Sequence, residues 1–405
     1  MRRYLIFMLT VVMALAVSAQ QKLEVISGIV IDRDTKTPLV NVSISVDKGS
    51  LSTVTNADGR FSLKTVKRPS RIVVSHIGYR TRYVTVPDDG SELRVPMAST
   101  SVMLSDIVVM PEDPLEVLLQ ALNRVVDNYG KSPRLMQTFY RETVQKRQRY
   151  IYIAEAVGEL LKTGYHRASS TRDWVSVLKG RRLVSTRQSD TLGVKIQGGP
   201  VLMNTHDVVK NRNIVFDPEI INHYNYFMEM PAKIDDRLQI VISFHPRDMS
   251  PDALYHGLVY IDNENYTITR VELSLDMQNR EMATNMMLVK KPAGLKFKPK
   301  ELSLLVTFKR DGEFSRINYM RTEMKFSCDW KRRLLSTTYT AITEMVVTDQ
   351  LSEIKGKPES GTFGERDSIY DKMSYFDDPA FWADYNIIEP TESLENAVKK
   401  IKRQR

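Results

Sequence analysis

The sequence predicts a mainly β protein with some helix, in which a seven-stranded β-sandwich precedes an antiparallel sheet domain covered by helices. In residues 27–86, about seven short runs separated by turn residues show strand alternation and no helical period. Residues 113–130 carry one apolar stripe at helical spacing. From residue 138 onward, alternating runs and turns recur, which is typical of an antiparallel sheet.

The predicted sandwich shows the period of strands with one buried face. Val40, Val42, Ile44 and Val46 alternate with polar residues, so we expect these four side chains to face a core. The run at 56–59 (Asn-Ala-Asp-Gly) supplies a tight turn before the next strand. The segment therefore reads as strands joined by short turns.

Thirteen residues of this segment form a combined pattern: Gly28, Val30, Asp32, Pro38, Leu39, Val42, Thr55, Asp58, Gly59, Phe61, Ser75, Gly78 and Tyr79. The pattern resembles the carboxypeptidase-regulatory-like domain, a transthyretin-like sandwich found beside some metallocarboxypeptidase domains and in front of many outer-membrane receptors of the Bacteroidetes type. The resemblance implies a fold without catalytic residues, in which the glycines serve turns or bulges. We assign a structural role to Gly28, Asp32, Pro38, Asp58, Gly59, Phe61, Gly78 and Tyr79.

The amino terminus has the pattern of a secretory signal. Arg2 and Arg3 precede an apolar stretch, and small residues end it at Ala19. We therefore expect an exported chain, located in the periplasm or on the periplasmic face of the outer membrane. The single cysteine, Cys328, is far from the cleavage site, so a lipoprotein anchor is ruled out, and it cannot form an internal disulfide.

Composition shifts and turn residues predict the domain organisation. The expected units are a signal peptide at 1–19, the sandwich at 20–100, a linker at 101–112, a sheet or half-barrel domain at 113–350, a flexible linker at 351–368, and an aromatic docking segment with a basic C-terminal helix at 369–405.

The predicted helix of the second domain has several start signals. Asp113 can cap it, Pro114 suits its first turn, and Glu116 lies three positions after the cap. Its apolar stripe runs to Val126, and Gly130 ends it. The helix needs a sheet to cover, and eight to eleven strands are expected after it. Residues 193–231 lack a strand period and predict an inserted lid or a helical crossover.

In the second domain, a helix is followed by antiparallel hairpins that include the run GLVYIDNENYTITRVELSL. This order is similar to that of periplasmic lipoprotein carriers, whose half-barrel surrounds an apolar cavity. The resemblance implies a lipid or other hydrophobic ligand. The alternative is a concave face filled by the 114 helix and by Met282, Met286 and Met287, which we favour.

The sequence contains none of the common catalytic or metal-binding motifs that follow. The six histidines form neither HxxE nor HExxH, and no GxSxG, GxxxxGK[ST] or CxxC pattern occurs. His206 and His223 flank the irregular insert, but two histidines on loops are weak evidence for metal. Paired carboxylates such as Asp235 and Asp236 have the character of turn residues. We therefore predict no catalytic residues, no cofactor and no metal.

The formal charge of +9 is concentrated at one end. Five cations lie within the last seven residues, so the rest of the second domain is close to neutral, which argues against nucleic acid as a partner. The tail could contact the outer membrane peripherally. We predict a noncatalytic envelope binding or scaffolding protein with an envelope protein or a hydrophobic ligand as partner. The alternatives are a periplasmic lipid carrier and an outer-membrane receptor-associated component.

Overall fold

The computed structural model describes residues 23–100, 113–166, 173–187, 190, 192–247, 255–330, 336–351, 382 and 384–403. The predicted signal peptide, the 101–112 linker and nearly all of the 351–368 linker lie outside these residues. In the described part of the chain, no helix has the length and apolar character needed to span a bilayer.

The amino-terminal part is a sandwich of seven strands, as predicted. They are β1 (Glu24–Asp32), β2 (Ser43–Val46), β3 (Ser52–Val54), β4 (Arg60–Thr65), β5 (Arg71–Ser75), β6 (Arg82–Thr85) and β7 (Leu93–Met97). One sheet has the order β4-β1-β7 and the other β3-β2-β5-β6. All pairs are antiparallel except β1 with β7.

The sandwich core follows the predicted alternation, with one exception. Val42 and Ile44 are fully buried between the sheets, where they meet Leu63 and Val74. Val40, which we expected in the core, is 39% exposed. The reason is that Asn41, which separates Val40 from Val42, has a φ of +58°, and this left-handed residue ends the strand period before Val40.

The second part is an eleven-stranded antiparallel sheet with order β10-β9-β8-β20-β19-β18-β16-β15-β14-β12, with β13 also paired to β14. Its strands are β8 (Arg134–Lys146), β9 (Arg149–Lys162), β10 (Trp174–Val184), β12 (Tyr224–Met228), β13 (Ala232–Ile234), β14 (Arg237–Pro246), β15 (Tyr255–Asp262), β16 (Ile268–Leu275), β18 (Leu295–Asp311), β19 (Phe314–Trp330) and β20 (Thr337–Leu351). The short strands β11 (Lys195–Ile196) and β17 (Leu288–Lys290) pair separately.

The predicted helix forms, but in two pieces. Helix α1 (Pro114–Asn123) begins at the Asp113 cap, whose carboxylate accepts the backbone N–H of Leu115, and α2 (Val125–Tyr129) follows after a break at Arg124. The other helices are α3 (Pro200–Thr205), α4 (Arg280–Met287) and α5 (Glu392–Lys402), with 3-10 turns at Arg212–Ile214 and Ile221–His223.

One face of the large sheet is sealed by apolar side chains. Leu118 and Leu122 of α1 are buried against it, and residues 200–223 cross the same face, where they bury Val208 and Phe216. This segment, for which a lid or a helical crossover was expected, crosses the face in short helical pieces and ends in the strand β12, which was not foreseen. Met287 of α4 is also fully buried there, with Met286 packed at its edge and Met282 half-buried.

The opposite face of the large sheet meets the sandwich and the C-terminal segment. Phe139 packs edge-on against Trp382, with ring centroids 5.8 Å apart, and Val54 of the sandwich joins the same cluster. Helix α5 buries Leu394 and Ile401 near the β9–β10 edge. The aromatic segment therefore docks on the sheet at its described end; Phe376 and Phe381 lie outside the described residues.

Candidate functional site: a polar groove between the two domains

The two domains are joined by a buried arginine of β19. Arg316 is 2% exposed and donates to the backbone oxygen of Ser50 at 2.9 Å and to the hydroxyl of Ser52 at 3.2 Å. On its own side, it donates to the Asp311 carboxylate at 2.9 Å. Ser52 in turn donates to the backbone oxygen of Val347 in β20 at 2.8 Å. A buried charge with this many partners fixes the sandwich against the sheet.

The C-terminal segment reinforces this junction from the other side. The side chain of Asn386 exchanges two hydrogen bonds with the backbone of Lys64, at 2.6 and 2.9 Å. Asp58, one of the predicted motif residues, accepts the backbone N–H of Glu392 at 2.8 Å, in the first turn of α5. A carboxylate at a helix N-terminus is favoured by the helix dipole.

A groove of about 540 Å³ remains between the domains beside the Arg316 contacts. Its sandwich wall is the outer face of β2 and β5, where Ser43 pairs with Ser75 and Ser45 lies next along the strand. Its sheet wall includes Thr269 of β16 and Thr307 of β18. Because the strand period sends Val42 and Ile44 into the core, it sends the serines outward into this groove.

Two irregularities of the large sheet supply further groove side chains. The pairing of β15 with β16 skips Thr269, and the pairing of β18 with β19 skips Asn318. Such bulges re-aim side chains, often beside functional sites. Asn318 is 5% exposed, its amide nitrogen donates to the Ser43 hydroxyl at 3.4 Å, and its Oδ1 has no hydrogen-bond partner among the described residues. The Thr81 hydroxyl, also on the groove wall, is buried and equally without a partner there.

The groove wall has an excess of positive charge. Two carboxylates, Asp235 and Asp311, face four cations, which are Lys48, Arg270, Lys309 and Arg310.

Among these groups, Arg270 is paired with Glu272 at 2.6 Å and Asp311 with Arg316 at 2.9 Å. The ammonium of Lys309 has no hydrogen bond or ion pair with the described residues. Burial, and next Arg316, lower the pKa of Lys309 to about 8, although Asp235 and Asp311 pull it upward. The groove thus offers a half-buried cation that no carboxylate neutralises by direct contact.

The predicted motif residues Asp32, Gly78 and Tyr79 lie together near the edge of the groove. The backbone N–H of Thr35, then the hydroxyl of Tyr79, donate to Asp32 and lower its pKa to about 2. The backbone N–H of Gly78 donates to the backbone oxygen of Lys233 in β13 at 3.1 Å. The Tyr79 turn therefore also contacts the second domain.

The other motif residues have packing roles within the sandwich. Gly28 lies between β4 and β7, where an added Cβ would meet the backbone oxygen of Leu93 at 2.5 Å. Gly59 has φ +73° and closes the turn, with Pro38 beside it. Phe61 is buried in the core. The eight residues thus do not converge on one site.

His206 and Cys328, which we considered for metal or thiol chemistry, lie in surroundings that are ordinary for buried residues. Burial lowers the pKa of His206 to about 4, and its ring nitrogen lies 3.2 Å from the Thr322 hydroxyl. Burial raises the pKa of the Cys328 thiol to about 11. Within the described ranges, no group of three or more His, Cys, Asp or Glu side chains is arranged to hold a metal ion.

A buried charge network, not foreseen from the sequence, lies under the crossover. The Lys162 ammonium lies 2.7 Å from Asp207 and 3.1 Å from Asp173, and Lys210 lies 2.5 Å from Asp173. Tyr165 donates to Asp207 at 2.7 Å. Burial by itself lowers the pKa of Lys162, but the two carboxylates outweigh it and the net pKa is raised. Because each charge has an opposite partner, the network fastens residues 200–223 to the sheet.

Comparison with known families identifies the sandwich. Residues 26–109 match the CarboxypepD_reg-like domain. The match spans about a fifth of the chain and confirms the resemblance seen in the sequence. No curated protein matches the sequence significantly.

Several bacterial proteins are similar in structure to between 60% and 81% of the chain. An outer membrane lipoprotein-sorting protein domain, so described, from Vibrio parahaemolyticus is 11% identical (TM-score 0.28; 60% of this chain, 95% of that one). A LolA superfamily protein from Nitrosomonas europaea is 12% identical (TM-score 0.21; 61% and 98%). A membrane-associated protein of unknown function from Bacteroides fragilis is 11% identical (TM-score 0.15; 81% and 98%). All three TM-scores lie below 0.5, so these similarities in structure carry no argument about function.

Proposed function

We propose that the chain is a noncatalytic binding or scaffolding protein of the bacterial cell envelope. In this proposal it is exported to the periplasm or the periplasmic face of the outer membrane. The observation that supports a binding role is the junction, where the Arg316 contacts hold the CarboxypepD_reg-like domain against the large sheet and a polar groove remains between them. A rigid groove between two fixed walls is suited to binding.

A fractionation experiment tests location and chemistry together. We expect the tagged full-length chain in the periplasmic or outer-membrane fraction of its host, and we expect the purified protein to leave peptide substrates intact. Retention in the cytoplasm would contradict the envelope assignment. Peptide hydrolysis with about one zinc ion per chain would contradict the noncatalytic assignment.

The sealed face of the sheet weighs against the lipid-carrier alternative. A hollow beside the buried network, lined by Tyr129 and Tyr165, has a volume of about 10 Å³, which is room for about one water molecule. Extraction of the purified protein with organic solvent, followed by mass spectrometry, separates the two functions. We expect no stoichiometric lipid, and one lipid per chain would replace the present proposal with the carrier.

A further inference from the structure

We propose that the groove between the two domains binds a small hydroxylated oxyanion, such as a sugar acid or a sugar phosphate, through Lys309 and Asn318. The inference rests on the binding function proposed above and names the ligand class that its groove accepts.

The anionic part of the ligand follows from Lys309. Its ammonium is half-buried on the groove wall and makes no ion pair with the described residues, although an unpaired buried charge is costly. Nearby Arg270 and Asp311 are each neutralised by their own partners. Lys309 is therefore the cation that would donate a charge-assisted hydrogen bond to an incoming carboxylate or phosphate.

The hydroxyl groups of the ligand are inferred from polar atoms of the groove wall that have no hydrogen-bond partner among the described residues. Asn318 is 5% exposed, and its Oδ1 is an acceptor without a donor among the described residues. A ligand hydroxyl group that reaches this atom would supply the donor. Thr81 presents a buried hydroxyl without a partner among the described residues, and Ser43 and Ser75 line the wall opposite the sheet. Ligand hydroxyl groups both donate and accept, so they suit a wall of this composition.

The size and rigidity of the groove agree with a small ligand. Its volume of about 540 Å³ lies within the range of about 300–1,000 Å³ that is common for small-molecule sites. Lys309 and Asn318 lie on the paired strands β18 and β19, and Arg316 fixes the opposite wall. The two binding groups are therefore held in place before a ligand arrives.

The pH dependence of binding should follow Lys309. The other charged or titratable groups that face it or line the groove are Lys48, His76, Tyr83, Asp235, Arg270, Arg310, Asp311 and Arg316. With the pKa of Lys309 at about 8, its ammonium is present at lower pH and is lost as the pH rises. We expect about a tenfold loss of anion affinity between about pH 7 and about pH 9.5.

Isothermal titration calorimetry of the full chain provides the test. The probes are glucuronate and glucose 6-phosphate, with neutral glucose and acetate as comparisons. We expect one site per chain for at least one of the two anionic sugars, with binding at least about tenfold tighter than for glucose or acetate. Binding of glucuronate alone identifies a carboxylate ligand, and binding of glucose 6-phosphate alone identifies a phosphate ester.

Two variants connect that binding to the groove. Lys309→Met removes the charge, and Asn318→Leu removes the acceptor; each should lower affinity by about tenfold or more. The matched control is Lys296→Met, on the exposed part of the same strand β18, which should bind as the wild type does. Circular dichroism melting verifies that each variant is folded.

The outcomes separate this inference from the proposed function. If neither sugar anion binds, or if folded Lys309→Met binds as tightly as the wild type, the groove assignment is wrong while the envelope binding function stands. If a bound sugar is chemically converted, the groove assignment holds and the noncatalytic function is wrong.

Discussion

The large sheet has two covered faces that differ in chemistry. One is sealed by α1, α2 and the 200–223 crossover, with apolar side chains and one compensated charge network. The other meets the CarboxypepD_reg-like domain through an arginine, serines and backbone groups, and a polar groove remains beside them. Apolar contact removes every space between surfaces, whereas polar contacts at a few points hold two surfaces together around an open space. The first face therefore stabilises the fold, and the second is where we place binding.

The largest expected loss of stability comes from breaking the charge network on the sealed face. Lys162→Met leaves Asp207 and Asp173 buried with one cation fewer, which should lower the free energy of unfolding by about 3–5 kcal/mol. Urea denaturation followed by circular dichroism measures it. The control Lys325→Met breaks exposed pairs with Glu301 and Glu323 and should cost at most about 1 kcal/mol. Equal losses of stability in the two variants would show that the buried network does not hold residues 200–223 to the sheet.

A cavity in the apolar part of the same face should lower the free energy of unfolding slightly less than the loss of Lys162 does. Leu118→Ala removes a fully buried side chain of α1 and should lower the free energy of unfolding by about 2–4 kcal/mol. Its neighbour Leu119 is 41% exposed, so Leu119→Ala should change stability by less than about 0.5 kcal/mol. The same denaturation series compares them, and a small effect of Leu118→Ala would indicate that the face is loosely packed.

Loss of the junction arginine should affect the second face. Arg316→Met leaves the Ser50 oxygen and the Asp311 carboxylate without their donor, at a cost of about 2–3 kcal/mol. Because the domains then lose their central contact, limited proteolysis should release the sandwich faster than in the wild type. Arg33→Met, which removes an exposed pair with Asp34 within the sandwich, is the control. An unchanged cleavage rate would mean that the other junction contacts suffice.

Removal of the groove cation should have the smallest effect and the opposite sign. In the folded chain the pKa of Lys309 is about 8, below the ordinary lysine value of 10.5, so the unfolded chain binds the proton more strongly. Lys309→Met should therefore raise the free energy of unfolding by about 1 kcal/mol near pH 7, and this gain should shrink as the pH rises through 8 toward 10.5. Denaturation at several pH values measures it. A pH-independent gain would point to packing and not to charge.

Local patterns predicted most elements but not the contacts between them. The alternation that recurs from residue 138 onward predicted the antiparallel sheet, and in β18 the alternating residues Leu302, Leu304, Val306 and Phe308 are buried. Their neighbour Lys309 lies on the other face of the strand, on the groove wall. Nothing local indicated that the sandwich covers this face, since Arg316 and its partner Ser50 lie far apart in the sequence. The bulge at Asn318 depends on strand pairing, which single-sequence patterns do not specify.

The insert at 193–231 shows a second reason for missed structure. A lid or a helical crossover was expected there, but the strand Tyr224–Met228 was not, because its residues do not alternate and its partner β14 follows it in the chain. The buried network was also missed, since Lys162, Asp173 and Asp207 approach each other only after the crossover has folded over the sheet. Such sites are set by tertiary packing.

Hydrogen–deuterium exchange with and without added glucuronate or glucose 6-phosphate tests most directly which face binds. Our account predicts ligand-dependent protection in peptides that contain β2, β5 and residues 307–318, with no change in α1 or residues 200–223. Protection of the helical face, or no protection with either compound at saturating concentration, would contradict it.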